Sequence, residues 1–183
     1  IYWDQILVNT FQGTPEYRLN RLPVQSAELQ FTGFPREFSP DGKRPFLYDY
    51  DWIEPVAPWK SHTGNYTRYG DVTPLLKSKE DQYVIMRNGD EIQLSFSASR
   101  LPELPSGWTR SFFLYADGFG KDMDIHSATA ETVTPLPFHH MSRYPYPENE
   151  KHPDSPAYRR YQQEYNTRHV PEVYSQINQK SND

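Results

Sequence analysis

Residues 82–97 read QYVIMRNGDEIQLSFS, and the reading of this stretch decides the fold class. Asn88-Gly89 sits between two apolar-rich arms, and both residue types tolerate the positive φ that tight turns between antiparallel strands require. In the second arm Ile92, Leu94 and Phe96 alternate with Glu91, Gln93 and Ser95. A period of two places one set against a core and the other in water. The stretch therefore predicts a hairpin, and with it an antiparallel sheet with one wet face.

Working outward, residues 108–116 (WTRSFFLYA) predict a further strand, reached through the proline-punctuated connector LPELPSG. On the other side, DVTPLLKSKEDQ at 71–82 predicts a short helical turn, with Leu75 and Leu76 closing one end of the core. AELQFTGF, beginning at Ala27, is a second extended candidate, and residues 1–8 (IYWDQILV) have strand composition. That first run carries no positive region of a leader and no cap, which is the expectation for a mature fragment or a piece of a longer chain. Residues 33–65 hold many rings among prolines and glycines without a period, and predict a long ordered loop that covers a sheet.

The C-terminal third changes character. PLPFHHMSRYPYPENEKHPDSP is extended and proline-rich. Ser155-Pro156 then predicts a helix start, with a side-chain cap and a proline at the first helical position. Tyr158, Tyr161 and Tyr165 follow at i, i+3 and i+7, on one helical face. The predicted architecture is mainly β: an antiparallel β-sandwich over 1–138, possibly continuing a β-rich segment upstream, then over 139–183 an extended segment, a short helix and a tail.

Composition agrees. Seventeen prolines in 183 residues break long helices, while 14 Tyr, 10 Phe and 4 Trp argue against wholesale disorder despite a mean hydropathy of -0.89. The net charge is -5 and no basic cluster stands out, so the footprint of a nucleic-acid partner is missing. No apolar run is long enough for a transmembrane segment. The absence of cysteine excludes disulfides, zinc–thiolate sites and a cysteine nucleophile.

IYWDQILV, NYTRYGDVTPLL, NGDEIQLSFSASRLPELPSGWTRSFFLYADGFGKDMD, TVTPLPFHHMSRYPYP and YRRYQQEYNTR occur in that order. Together they resemble the C-terminal region of large bacterial proteins of the cartilage-acidic-protein-like group, which carry FG-GAP propeller repeats, an ASPIC/UnbV segment or tetratricopeptide repeats. The resemblance implies an exported location, in the periplasm, at the cell surface or outside the cell, and a role in binding or assembly. The propeller's D-x-D-x-D-G calcium loops and a repeat near 34 residues are not in this sequence, so neither calcium binding nor repeat-mediated recognition carries over.

Candidate chemistry gathers in three places. Asp117, Asp122 and Asp124 follow the strand-like SFFLYA, and the Asp122-x-Asp124 alternation suits a calcium ion, although Ile125 and His126 stand where further ligands belong. No other cofactor is indicated. His126, His139 and His140 suit a transition metal by type, yet adjacent histidines in an extended chain point to opposite faces. Trp52, Trp59 and Tyr66 are candidates to stack on sugar rings. Asp49, Asp51, Glu54, Asp90 and Glu91 are acid/base candidates by type alone. The tyrosine stripe Tyr158, Tyr161, Tyr165 is a candidate interface, with a dock onto the parent domain as its plainer use. The expected function is a non-catalytic accessory or assembly module of a larger exported protein, acting through contacts with protein subunits or upstream domains of the same chain. A carbohydrate-binding module and a metal-binding domain at residues 117–124 are the alternatives.

Overall fold

The computed structural model describes Gly13 and residues 16–57, 60–78 and 80–171; the strand expected at 1–8 lies outside them. The described chain is β-rich, with small antiparallel sheets and one short helix. Strands β1 (Val24–Phe31), β5 (Gly70–Asp71) and β6 (Asp90–Phe96) form a three-stranded sheet in the order β5-β1-β6. Strands β2 (Phe34–Phe38) and β3 (Leu47–Glu54) make a hairpin, and β4 (Gly64–Tyr66) pairs with β7 (Arg168–Val170).

The alternation read in the second arm positions the core. Ala27 faces Leu94 and Leu29 faces Ile92 across the β1–β6 ladder. All four turn inward, while Glu28 with Gln93 and Gln30 with Glu91 turn out to water. Leu29 is 0% exposed. Helix α1 (Pro156–Tyr165) lies over this face, and Tyr158, Tyr161 and Tyr165 join Ala27, Leu29, Val72 and Leu75 in one buried cluster. Ser155 caps the helix by accepting from the Tyr158 N–H at 3.0 Å, with Pro156 behind it. At the other end Arg68 takes up the terminal carbonyls, its backbone N–H donating to Tyr165 O (2.7 Å) and its Nε to Glu164 O (3.2 Å).

Three expectations are corrected. First, residues 82–86 do not pair with β6; β1 takes that place. The turn itself exists, closed by Asp90 N–H to Arg87 O at 3.0 Å, but only Gly89 (φ +83°) is left-handed, and Asn88 is not. A turn with positive φ only at its third residue splays its flanks, whereas the type I′ turn that Asn-Gly favours in tight hairpins has both central residues at positive φ. The first arm bonds instead to Thr67, through Thr67 N–H to Ile85 O and Ile85 N–H to Thr67 Oγ1. Second, the stretch 33–65 is not an unpatterned loop, because it contains β2 and β3. Asp41-Gly42 turns that hairpin, with Asp41 Oδ1 accepting the Lys43 N–H (3.0 Å) and Gly42 at φ +73°. Third, residues 108–116 pair with no strand among the described residues. The short helical turn at 71–82 is present as a 3-10 turn at Thr73–Leu76. Asp71 accepts from both the backbone N–H (2.9 Å) and the hydroxyl (2.5 Å) of Thr73 there.

One buried ion pair joins the two ends of this arrangement. Arg168 Nη2 meets Asp90 Oδ2 at 2.5 Å, with the Asp90 side chain fully buried. Asp90 also accepts from Arg87 N–H (2.9 Å) and Tyr69 OH (2.9 Å), and Arg168 Nε donates to Thr67 O (3.0 Å). Removing one partner leaves an uncompensated buried charge. Arg168→Met should therefore lower the unfolding free energy by about 3–5 kcal/mol. The double variant Arg168→Met, Asp90→Asn should recover part of that loss, both read from urea midpoints.

Candidate functional site

The residues that sequence reasoning singled out are scattered. Tyr66 is 2% exposed and spends its hydroxyl on His62 O (2.8 Å), so it offers no face to a sugar ring. Trp59 lies outside the described residues. Trp52 on β3 is 55% exposed, with the Arg36 guanidinium 5.1 Å from its ring centre. Tyr158, Tyr161 and Tyr165 are buried against the sheet, which is the dock onto the parent domain that the sequence offered as their plainer use, and they present no exposed interface. The helix needs its apolar stripe to bury the sheet face, and Tyr161 satisfies its hydroxyl inside by donating to Tyr83 O (2.5 Å). Burial raises the phenols of Tyr158, to about 12, and of Tyr161 further still. Asp90 is the buried partner of Arg168, a structural position.

The three acids of the loop also part company. Asp124 Oδ1 accepts the His126 N–H at 2.7 Å, a local turn contact. Asp122 lies near His62, whose imidazole is held below its ordinary value by burial and by Lys121, with Asp122 acting the other way. Lys121 reaches the opposite side of the loop, donating to Thr132 O, to Thr129 Oγ1 (3.1 Å) and to Thr134 O (3.3 Å). Asp117 turns elsewhere, to His139. Among the described residues no group of three or more His, Asp or Glu is placed to hold a metal ion.

What the fold does bring together is Asp81, Tyr83, Asp117 and His139, a combination no linear spacing announces. His139 Nδ1 lies 2.8 Å from Asp81 Oδ1, and the His139 backbone N–H donates to the same oxygen at 2.8 Å. On the far side of the ring, Nε2 lies 3.3 Å from Asp117 Oδ2. The Tyr83 ring stacks on the imidazole at 5.9 Å between centres, and Phe119 meets Tyr83 edge-on at 6.0 Å. The Tyr83 hydroxyl is 3.4 Å from Asp81 Oδ1 and 3.3 Å from His139 Nδ1. Three segments supply these groups: the chain after the 3-10 turn, the loop after residues 108–116, and the extended stretch beyond Phe138.

Electrostatics follow from the contacts. Hydrogen bonds to Asp81 and then Asp117 raise the His139 imidazole above its ordinary 6.5. Burial pushes the Asp81 carboxyl up, but the His139 backbone and ring hydrogen bonds outweigh it and hold the group below its ordinary 3.8. Burial, followed by the Asp81 charge, pushes the Tyr83 phenol up to about 12. In the imidazolium both ring nitrogens donate, each to its own carboxylate. Neither nitrogen then faces outward to take a proton from a substrate.

The other notable surface is the segment leading into this cluster. Phe112, Phe113, Leu114 and Tyr115 are all exposed, Phe113 to 91%. An open trough of about 2920 Å3 lies along them, with Ile92, Leu94 and Phe96 of β6 also on its walls. No known protein family matches the chain, nor does any curated protein or any solved structure.

The sign of the pH dependence is fixed by the two shifts. The His139 contribution to stability is complete below 6.5 and fades as pH rises through its raised folded value. The Asp81 contribution is complete above 3.8 and fades as pH falls through its depressed value. Asp81→Asn should cost about 1 kcal/mol or less between those limits. The loss should shrink as pH rises through the raised His139 value, as checked by urea unfolding of both proteins across the range.

Proposed function

We propose that the chain is a non-catalytic assembly module of a larger exported or cell-surface protein, and that residues 111–115 receive a strand from a partner protein. The observation that carries this reading is the exposure of Phe112, Phe113, Leu114 and Tyr115 in succession. Soluble proteins rarely leave contiguous large apolar surface in water unless it is used. Each such side chain gains about 1.5–3 kcal/mol on full burial. Consecutive residues of an extended chain point to opposite faces, so a cover on one side alone would leave half of them wet. A strand that pairs along the backbone, with its own side chains entering the trough, covers both and satisfies the peptide groups. The occupied nitrogens of His139 support the non-catalytic part, and the family resemblance supports export.

Light scattering during size exclusion, over a range of concentrations, tests the reading directly. The purified chain should form a species of discrete stoichiometry, and Phe113→Glu should return it to monomer with an unchanged fold by circular dichroism. A wild-type monomer at every concentration, with residues 111–115 protected from hydrogen exchange, would overturn it.

A second reading rests on the β2–β3 hairpin. Tyr48, Tyr50 and Trp52 of β3 are all exposed, a group of rings suited to sugar stacking. Under that reading Trp52→Ala weakens binding on a glycan array by about 10-fold or more, the scale of losing one well-packed aromatic contact. An array without any bound glycan would remove it.

A further inference from the structure

We infer that the strand received by residues 111–115 is β6 of a second copy of this chain, the two copies exchanging these segments reciprocally. The inference rests on the reading of residues 111–115 given above and names the partner that reading calls for.

β6 is paired on one side and open on the other. It ends the sheet order β5-β1-β6, and no strand among the described residues bonds to its far edge. Its ladder with β1 runs without a bulge from Asp90 to Ser95. From Ile92 to Phe96 it carries neither a charge nor a proline, the devices that blunt an exposed edge. Such an edge presents a row of unpaired peptide groups, a template for another strand. The β2–β3 hairpin has open edges too, but its ladder is broken between Pro35 and Arg36, which makes it a poor donor. Within one chain, Ile92, Leu94 and Phe96 stand on walls of the same trough as Phe112, Phe113 and Leu114 without pairing to them.

The side chains choose the register. Every strand pair of the described sheets is antiparallel, and an antiparallel pair is stabilised by apolar residues directly opposite and weakened by like charges there. Setting Ser111 opposite Ser95 meets both conditions. Phe112 then faces Leu94, Leu114 faces Ile92, and the Arg110 guanidinium comes over the Phe96 ring. On the other face the Tyr115 hydroxyl reaches the Glu91 carboxylate. Sliding the segment by one residue in one sense sets Asp117 opposite Asp90, and by two sets it opposite Glu91. Sliding it the other way sets Leu114 opposite Glu91 or Asp90. One register avoids both faults. Because each copy carries both a β6 edge and a 111–115 segment, two reciprocal contacts close a two-fold dimer and leave neither edge open.

Cross-linking of the whole chain tests the pairing. The sequence has no cysteine, and Ser95 and Ser111 are both exposed, so each accepts a cysteine conservatively. Directly opposed residues of an antiparallel pair have Cα atoms about 4.5–5.5 Å apart, within the span of a disulfide. Ser95→Cys mixed with Ser111→Cys and oxidised should shift from the monomer to the dimer band on a non-reducing gel. Neither variant alone should shift, and Ser97→Cys mixed with Ser111→Cys should remain monomer. Hydrogen exchange needs no variant: peptides covering residues 90–96 and 111–115 of the wild type should gain protection together as concentration rises.

Absence of the 95–111 link, or protection gained at 111–115 alone, while Phe113→Glu still returns the assembly to monomer, overturns β6 as the donor and leaves the reading of 111–115 standing. A dominant 97–111 link overturns the register. In the double variant Ser95→Cys, Ser111→Cys, a bond closed inside a single monomeric chain overturns the exchange. A wild-type monomer at every concentration sinks the reading of 111–115 and this inference with it.

Discussion

The pairing of Asp90 with Arg168 is the constraint on which the arrangement depends. A carboxylate with no exposed surface must have its lone pairs filled, and Asp90 has them filled by a guanidinium, a backbone N–H and a phenol. Those donors come from the turn at 87–90, from the chain after β4, and from β7. Arg168 is itself enclosed, lying 4.2 Å from the Tyr69 ring centre and 5.4 Å from that of Tyr66. Satisfying one buried charge thus fixes where the sheet begins, where the C-terminal strand lies, and which aromatic rings line the space between.

The helix follows from the same geometry. Its tyrosine stripe gives α1 an apolar side with polar tips, and both properties are used. The rings cover Ala27, Leu29 and Val72, while Tyr161 reaches the carbonyl of Tyr83. Thr67 and Asn166, both buried, bond to one another at 3.3 Å where the helix ends. The core is therefore built from segments far apart in the chain, and the helix is its second layer.

Phe112, Phe113, Leu114 and Tyr115 are exposed in succession, and in the loop after them Asp117 meets an imidazole that Asp81 bonds on its other side. The acidic run that reads as a cation site separates into a turn contact at Asp124, a charge beside His62 at Asp122, and the histidine bridge at Asp117.

The sequence by itself determined the strand character of β1 and β6, the short turn at Thr73–Leu76, the Ser155 cap and the tyrosine face of α1. Each is a local matter of period, capping or propensity, readable within a few residues. The same local signals misled at residues 82–86, because Asn-Gly permits a hairpin turn without compelling both residues to positive φ. They passed over β2 and β3, where Pro40-Asp41-Gly42 and the alternation of LYDYDWIE were present but masked by the density of rings and prolines. Only the tertiary structure decided which strand lies beside β6, that Tyr66 is core while Trp52 is surface, and that His139 stands between Asp81 and Asp117. Those are contacts between residues 22 to 78 positions apart in the chain, and no periodicity carries information over that range. What fixes them is the need to bury one apolar face and leave no buried charge unpaired.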